Sequence, residues 1–391
     1  MRRALVFVRA YALTVVIGIG AWAALANAQA PTARQLAARQ LAAPNAEFAE
    51  PLSGPLRIVE LRDGRVLVHD TKEKRLAIAN LATGELVDVA SEGSGPTEFR
   101  SAIALLRAPG DSIWLYDLVQ SRVLVLGPDA QPRRTELFAN ARDPMAMLSR
   151  PMVRDHDTVG RTYGEIRAMS FSEGRMSFAD SVLLVRSTGA RADTLATMPN
   201  FVRAPSFDGQ AIKMRVPGFP PMDAWGVFPD GRVMIVRGVR YVPELYLPDG
   251  THRTASALPF PRVAVTAADR TKLMDETRKG MEEGMNLGRA MSGGAPMPRF
   301  ELLEPEQWQT HKPPLAATVI FVDSKLRAWV SVLRRGNDPG ERFDLLDADG
   351  RLLETILLPK DVTLLAFGRG VVYTQRKDED ELLWLQRHPL P

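Results

Sequence analysis

Residues 91–100 read Ser-Glu-Gly-Ser-Gly-Pro-Thr-Glu-Phe-Arg, and residues 111–126 read Asp-Ser-Ile-Trp-Leu-Tyr-Asp-Leu-Val-Gln-Ser-Arg-Val-Leu-Val-Leu. The second stretch consists of two apolar runs separated by a polar turn, which is typical of a β-hairpin. The same pattern occurs 47 residues earlier, over Val68–Ile78, and in both copies an aspartate stands five residues before an arginine. Self-similarity at a period of about 40–50 residues indicates a fold built from repeated units.

The first unit contains four short alternating segments. They predict strands over Leu56–Leu61, Val66–His69, Arg75–Leu81 and Glu85–Ala90. The turns between them are Asp63-Gly64, Thr71–Lys74 and Thr83-Gly84, and the glycines accept the positive φ that tight hairpins require. A four-stranded meander of this size is typical of one blade of a β-propeller.

Turns between the third and fourth strand of a unit recur along the chain and predict five complete blades. They are Thr83-Gly84, Pro128-Asp129, Thr188-Gly189, Asp249-Gly250 and Asp349-Gly350. Three further strands follow, at Val362–Phe367, Val371–Gln375 and Leu382–Arg387, so a sixth blade lacks one strand. An open strand edge favours pairing, and we expect a segment near Asn45–Pro51 to supply the missing strand. The predicted fold is therefore all-β: a six-bladed β-propeller of four-stranded blades over residues 45–391, closed by an N-terminal strand.

The junction Gly93-Ser-Gly-Pro-Thr-Glu-Phe99 resembles the Gly-x-Gly-Pro-Gly-Glu-Phe junction of six-bladed propellers related to NHL-repeat proteins, which are common as exported bacterial proteins. Thr97 stands where that family usually has glycine. The two pairs Asp70/Arg75 and Asp117/Arg122 belong to the same resemblance, which is specific over Arg57–Gln131. It implies the fold and leaves the activity open, because this fold carries binding platforms, hydrolases and lyases alike. Each aspartate–arginine pair is expected to brace a turn.

An insertion of about residues 262–314 lies between the predicted fourth and fifth blades. Thr266 and Asp269 form a capping box, which predicts a helix that begins there. Met274, Met281 and Met285 recur on one face of this helix. The helix is interpreted either as an element packed on the propeller rim or as a lid with an adaptable methionine surface.

The N-terminus has the features of an export signal. Three arginines precede an apolar run over Ala10–Leu25, and Ala26-Asn27-Ala28 supplies a cleavage pattern. Residues 1–28 are therefore predicted to be a signal peptide and residues 29–44 a leader, with the mature protein in the periplasm or outside the cell. An uncleaved anchor is the alternative, although the run is shorter than the about 20 residues that span a bilayer.

Charge and composition exclude several classes of function. The chain has 50 Lys and Arg against 46 Asp and Glu, and removal of residues 1–28 with their three arginines leaves 47 against 46. Such a balance does not favour nucleic-acid binding. The absence of cysteine means that the hydrophobic core alone, at 45% hydrophobic composition, holds the fold together.

No metal-binding or nucleophile motif occurs in the sequence, and the five histidines are scattered. We therefore expect no metal and no cofactor, and the catalytic residues, if the chain has any, are unknown. A metal site or a triad assembled from different blades stays open as the alternative, because a propeller brings residues of every blade to one axis and spacing along the chain does not exclude it. Arginines on the loops that join successive blades, together with two on other loops of the same face, form a candidate anion-binding rim, since guanidinium groups bind carboxylate or phosphate in a bidentate manner. These arginines are Arg100, Arg142, Arg203, Arg237 and Arg334.

The sequence predicts a monomeric, exported, non-catalytic binding module for a protein, a peptide or a small ligand at the loop-rich face of the channel. After cleavage of the signal no stable membrane insertion is expected. The alternative is a lactonase-like hydrolase or a lyase with its site at the mouth of the channel. A third hypothesis is a cell-surface component that depends on a partner and is tethered by its leader.

Overall fold

The computed structural model describes residues 37–138, 150–172, 175–189, 191–207, 209–291 and 299–391. The predicted signal peptide and residues 29–36 of the predicted leader lie outside the described residues. The described chain is nearly all β, with one α-helix, α1 (Ala267–Met291), and a 3-10 turn at Pro109–Asp111. Across the described ranges, no helix is long and apolar enough to cross a membrane.

The strands are numbered along the chain and grouped into sheets. The first two are β1 (Ala38–Gln40) and β2 (Ala46–Glu47). Sheet 1 contains β3 (Leu56–Glu60), β4 (Val66–Asp70), β5 (Arg75–Ala79) and β6 (Leu86–Ala90). Sheet 2 contains β7 (Ala102–Arg107), β8 (Ile113–Asp117), β9 (Arg122–Leu126) and β10 (Pro132–Leu137). Sheet 3 contains β11 (Met152–His156), β12 (Thr162–Ile166), β15 (Ser181–Thr188) and β16 (Arg191–Pro199). Between β12 and β15 the chain forms a separate hairpin of β13 (Met169–Ser172) and β14 (Arg175–Phe178).

The remaining strands follow the same plan. A small sheet contains β17 (Ser206–Phe207), β18 (Ala211–Arg215) and, from beyond α1, β23 (Arg299–Leu303). Sheet 4 contains β19 (Ala224–Val227), β20 (Val233–Arg237), β21 (Val242–Tyr246) and β22 (His252–Thr254). Sheet 5 contains β24 (Leu315–Val322), β25 (Ala328–Val332), β26 (Arg342–Leu346) and β27 (Leu352–Leu357). Sheet 6 contains β28 (Val362–Phe367), β29 (Val371–Lys377) and β30 (Leu383–Pro389).

Sheets 1 to 6 are antiparallel, and tight turns join most of their consecutive strands. Between β3 and β4, Gly64 has a φ of +87°, which only glycine adopts without strain. The carboxylate of Asp63 accepts a hydrogen bond from the backbone NH of Arg65 at 3.0 Å. The Asp-Gly pair therefore sets both the backbone angle and the hydrogen bond of the turn.

The first strands of the sheets, here called the inner strands, contact one another in a closed order. β3 contacts β7, β7 contacts β11, β11 contacts β19, β19 contacts β24, β24 contacts β28, and β28 contacts β3. Between sheets 4 and 5 this contact includes a parallel bridge from Trp225 to Val319. Sheets that face one another around a common axis are the architecture of a β-propeller.

The hydrophobic core lies between neighbouring sheets. One cluster joins Leu67 of sheet 1 to Leu115 of sheet 2, and another joins Tyr163 of sheet 3 to Trp225 of sheet 4. Further clusters lie between sheets 2 and 3, 4 and 5, 5 and 6, and 6 and 1. Each sheet therefore buries both of its faces against its neighbours.

Two N-terminal strands join the last sheets. β1 pairs in parallel with β27, and β2 pairs antiparallel with β30, with Ala46 opposite Arg387. Phe48, directly after β2, is completely buried in the cluster between sheets 6 and 1. The side chain of Phe48 thus attaches the N-terminal segment to the core.

The loop from sheet 1 to sheet 2 is a structural turn. Glu98 accepts a hydrogen bond from the backbone NH of Gly95 at 2.7 Å, and Phe99 is buried against His69. Asp117 accepts hydrogen bonds from the backbone NH groups of Arg100 and Ser101. The guanidinium of Arg122 donates to the carbonyl oxygens of Gly95 and Glu98. In sheet 1, by contrast, Asp70 braces the loop at Ser53 and Gly54, while Arg75 pairs with Asp88.

The helix α1 begins with the capping box that the sequence predicts. The backbone NH of Asp269 donates to Oγ1 of Thr266 at 3.2 Å, and the backbone NH of Thr266 donates to the carboxylate of Asp269 at 3.0 Å. Lys312 pairs with the same carboxylate at 2.6 Å. Leu273, Met274 and Met281 are only half-buried. The residues of the insertion that follow α1, 292–298, lie outside the described residues.

Candidate functional site

A cavity of about 530 Å³ lies where the inner strands meet. Its walls come from the C-terminal half of every inner strand and from the turns that follow. The lining comprises residues 58–60 of β3, 105–107 of β7 with 108–111, 154–156 of β11 with 157–158, Val227 of β19 with Pro229, 319–322 of β24, and 365–367 of β28. Residues that are far apart in sequence therefore converge on one volume. We call this volume the central cavity.

β-Bulges accompany this convergence. The register of β11 against β12 shifts between Val153 and Asp155, so that Arg154 is the extra residue. Comparable shifts occur in β7, β24 and β28. A bulge bends a strand and re-aims the side chains next to it. The polar residues 154–157 therefore lie beside a local irregularity of the inner strand.

Three of the four carboxylates that line the central cavity are held by protein partners. Glu60 accepts hydrogen bonds from the Tyr373 hydroxyl at 3.0 Å and from the backbone NH of Arg369 at 2.7 Å. Asp111 pairs with Arg62 and, at 3.0 Å, with Arg107. These carboxylates are part of the structural framework.

Asp157 is the third of these carboxylates. Its pKa would rise through burial, but hydrogen bonds from Arg161 and Tyr163 lower it overall. The Asp157 carboxylate thus stays ionised and braces the turn after β11.

Asp155 differs from these three. In the described part of the chain it has no ion pair, and its carboxylate accepts one hydrogen bond, from the backbone NH of His156 at 2.8 Å. Its side chain keeps part of its surface accessible. Burial raises the pKa of Asp155 to about 7, Arg154 lowers it, and Asp157 raises it further. Asp155 is therefore a carboxyl group poised to exchange a proton near neutral pH.

His156 lies beside Asp155 and is 8% exposed. Its Nε2 is 2.8 Å from the Tyr116 hydroxyl, and its ring packs edge-on against Trp114. Its Nδ1 is buried and has no hydrogen-bonding partner among the described residues. Burial lowers the pKa of His156 to about 4, so the ring is neutral at physiological pH. A neutral imidazole can present one free donor or acceptor to a bound molecule.

Arg154 is fixed from several sides. Its guanidinium pairs with Glu165, lies 4.8 Å from the centre of the Trp225 ring, and reaches the carbonyl oxygen of Thr318 at 3.5 Å. Glu165 in turn accepts a hydrogen bond from the Trp225 indole NH at 2.8 Å. The positive charge of Arg154 is thus neutralised within the protein and connects sheets 3, 4 and 5.

The predicted rim arginines lie elsewhere. Arg142 is outside the described residues. The other four lie at the ends of the strands opposite the cavity lining: Arg100 precedes β7, Arg203 follows β16, Arg237 is the last residue of β20, and Arg334 follows β25. Three have protein partners for the guanidinium: Arg203 pairs with Asp180, Arg237 with Asp223 and Glu244, and Arg334 with the carbonyl oxygens of Asp338 and Pro339. The anion-binding rim stays a prediction.

A second cavity, of about 510 Å³, lies at the opposite ends of the strands. It is bordered by α1 through Leu273 and Glu276, by residues 217–220 with Met222, and by the N-terminal part of β24. The ion pair between Asp269 and Lys312 lies at its edge. Within the described ranges, no group of three or more His, Asp or Glu side chains is placed to hold a metal ion.

Neither Asp155 nor Arg154 belongs to a sequence motif that marks a functional site. The available signal was the run Arg154-Asp-His-Asp157, which interrupts an inner strand where the other inner strands are mainly apolar. This polar run indicates a site only because β11 is an inner strand, and spacing along the chain does not reveal which strands are inner ones.

No protein-family model matches the chain, and no curated protein is significantly similar in sequence. Solved structures of similar fold include virginiamycin B lyase from Staphylococcus aureus, with 9% identity, a TM-score of 0.43, and coverage of 87% of this chain and 96% of that one. A calcium-binding regucalcin from Agrobacterium tumefaciens has 11% identity and a TM-score of 0.40, over 90% and 95% of the two chains. A gluconolactonase from Xanthomonas campestris has 11% identity and a TM-score of 0.42, over 92% and 99%. At these values the likeness carries no argument about the site.

Proposed function

We propose that the protein is an exported six-bladed β-propeller that binds a small polar ligand in its central cavity without transforming it. The observation that carries this proposal is the contrast between Asp155 and the other lining carboxylates. Glu60, Asp111 and Asp157 have protein partners, whereas Asp155 has only a neighbouring backbone NH. A partly buried carboxyl group without a partner is costly and is expected to have a ligand or water as its partner.

In this proposal sheets 1 to 6 are the six blades, and β2 completes the sixth blade and closes the ring. The insertion with α1 then lies between blades four and five. The pairing of β2 with β30 supports this closure. Deletion of residues 29–52 should lower the melting temperature sharply, and an unchanged melting curve would refute the closure.

Export is proposed from the basic and apolar N-terminal segment with its Ala26-Asn27-Ala28 cleavage pattern. Sequencing the N-terminus of the protein from the periplasm and from the medium tests this. A chain recovered intact in the cytoplasm would contradict it.

A thermal-shift screen at pH 8 with cationic, neutral and anionic small molecules tests the binding function. Compounds that stabilise the wild-type protein should lose their effect in Asp155→Asn. The matched control is Asp63→Asn, which removes the same charge from an exposed turn outside the cavity lining. A compound that stabilises both variants as well as the wild type binds elsewhere, and a screen yielding only such compounds overturns the proposal.

The second candidate is a hydrolase or lyase. One observation favours it: the pKa of Asp155, about 7, suits a general acid or base at neutral pH. Turnover of a bound ligand distinguishes the two functions. A ligand that mass spectrometry recovers unchanged after prolonged incubation supports the binding protein, and a product that disappears in Asp155→Asn supports the enzyme.

A further inference from the structure

The central cavity has two chemically different walls. Sheets 2 and 3 contribute the charged residues Arg107, Asp111, Arg154, Asp155 and Asp157. Sheets 5 and 6 contribute residues 319–322 (Val-Ile-Phe-Val) and 365–367 (Leu-Ala-Phe). In the closed order of inner strands, sheet 2 lies across from sheet 5 and sheet 3 across from sheet 6. A polar wall thus faces an apolar one.

The apolar wall is accessible. Val319 is 36% exposed, although it belongs to an inner strand. The rings of Phe321 and Phe367 are half-buried, with their centres 6.4 Å apart. A ligand that covers these apolar side chains removes their surface from water, which favours binding.

The polar wall has an excess of negative charge. Its three carboxylates stand against two guanidinium groups, Arg107 and Arg154, and Glu60 of sheet 1 adds a fourth carboxylate to the lining of the cavity. Both guanidinium groups already have acidic partners, Asp111 and Glu165. His156 adds no positive charge because burial keeps its ring neutral. The negative charge of Asp155 therefore has no cation of the protein paired with it in the described chain.

We propose that the ligand of the central cavity is a small organic cation, an amine whose ammonium group pairs with Asp155 and whose apolar body covers the wall of Phe321 and Phe367. This inference rests on the proposed binding function and names the class of ligand. An anion would meet Asp155 and Asp157 without a free guanidinium among the described lining residues. A neutral ligand of the same shape would gain the apolar contacts but would lack the ion pair.

Three probes of nearly equal size separate these cases: 2-phenylethylamine, 2-phenylethanol and phenylacetate. Binding is measured by calorimetry at pH 8, where the carboxyl of Asp155 is mostly ionised and the amine is protonated. The wild-type protein should bind the amine about tenfold more tightly than the alcohol, since a charge-assisted hydrogen bond from the ammonium group to the carboxylate of Asp155 is stronger than a hydrogen bond from a neutral hydroxyl, and phenylacetate most weakly. Asp155→Asn should bind the amine and the alcohol about equally, whereas Asp63→Asn should keep the preference for the amine.

Equal binding of the alcohol and the amine by the wild-type protein would overturn this inference. The inference would also be overturned if the preference for the amine survived in Asp155→Asn, or if none of the three probes bound. Displacement of the amine by calcium alone at equal concentration would overturn it as well. The proposed binding function would still stand in each case if other compounds from the thermal-shift screen lost their effect in Asp155→Asn. The two proposals therefore fail separately.

Discussion

Replacement of Asp155 by asparagine should stabilise the protein at pH 8, and most of this gain should disappear at pH 4. Burial raises the pKa of Asp155 from its usual 3.8 to about 7, so the folded protein holds this proton more tightly than the unfolded chain. The resulting stability is fully present below pH 3.8 and is lost as the pH rises through 7. Asparagine does not ionise and does not suffer this loss. Its side-chain oxygen can still accept the hydrogen bond from His156.

The structure sets the size of the effect. Each pKa unit corresponds to about 1.4 kcal/mol, which gives an upper limit of about 4 kcal/mol for Asp155. Because the side chain of Asp155 keeps part of its surface accessible, solvent screens its charge, and we expect a gain of about 1–2 kcal/mol at pH 8. For a domain of this length, that corresponds to a rise in melting temperature of about 1–3 °C.

The assay is thermal unfolding of the wild-type protein and the variant across pH 4 to pH 8, compared at each pH. Asp63→Asn is the control of opposite sign, because a hydrogen bond from Arg65 lowers the pKa of Asp63. Its removal should not stabilise the protein at pH 8. If Asp155→Asn gave the same change in melting temperature at both ends of the range, or destabilised the protein at pH 8, the assignment of Asp155 as an unpaired buried carboxyl group would be wrong.

Three further predictions concern the framework. Phe48→Ala should lower the free energy of unfolding, measured by chemical denaturation, by about 3–5 kcal/mol, because the ring is fully buried between sheets 6 and 1. A loss below about 1 kcal/mol would contradict the role of Phe48 as an anchor. Gly226→Ala should lower the free energy of unfolding by about 1–3 kcal/mol, because a methyl group there overlaps the backbone oxygen of Ile320. The control is Gly280→Ala in α1, where nothing lies within 4 Å. It should leave the free energy of unfolding unchanged or raise it by up to about 1 kcal/mol. Asp117→Ala should expose the loop 91–101 to limited proteolysis, since it removes the acceptor for two backbone NH groups of that loop; an unchanged rate of cleavage would mean that the loop is held by other contacts.

Local patterns were sufficient to predict much of the fold. The four strands predicted in the first unit agree with β3 to β6 to within two residues at each end, and the three C-terminal strands agree with β28 to β30 equally well. The reason is that the alternation of apolar and polar residues and the Asp-Gly turns depend only on residues close in sequence. The capping box of Thr266 and Asp269 was readable for the same reason.

The site could not be predicted in the same way, because its residues come together through the packing of different sheets and are not close in sequence. Arg154 meets Trp225 and Thr318, which are 71 and 164 positions later. The site predicted from the sequence consisted of arginines at the loop-rich ends of the sheets. Loop length, however, does not reveal which ends of the inner strands enclose a cavity. The bulge at Arg154 also leaves no mark in the alternation of apolar residues.

The pairing of β2 with β30 has a consequence for the order of folding. Gln386 donates a hydrogen bond to Glu47 at 2.6 Å across a separation of 339 residues. Contacts of such long range form late, because the intervening chain must first be ordered. Sheet 1 can form from adjacent segments early in synthesis, whereas the N-terminal strand must wait for nearly the last residues to appear. The pairing of β2 with β30 therefore cannot form before residues 383–389 have been synthesised.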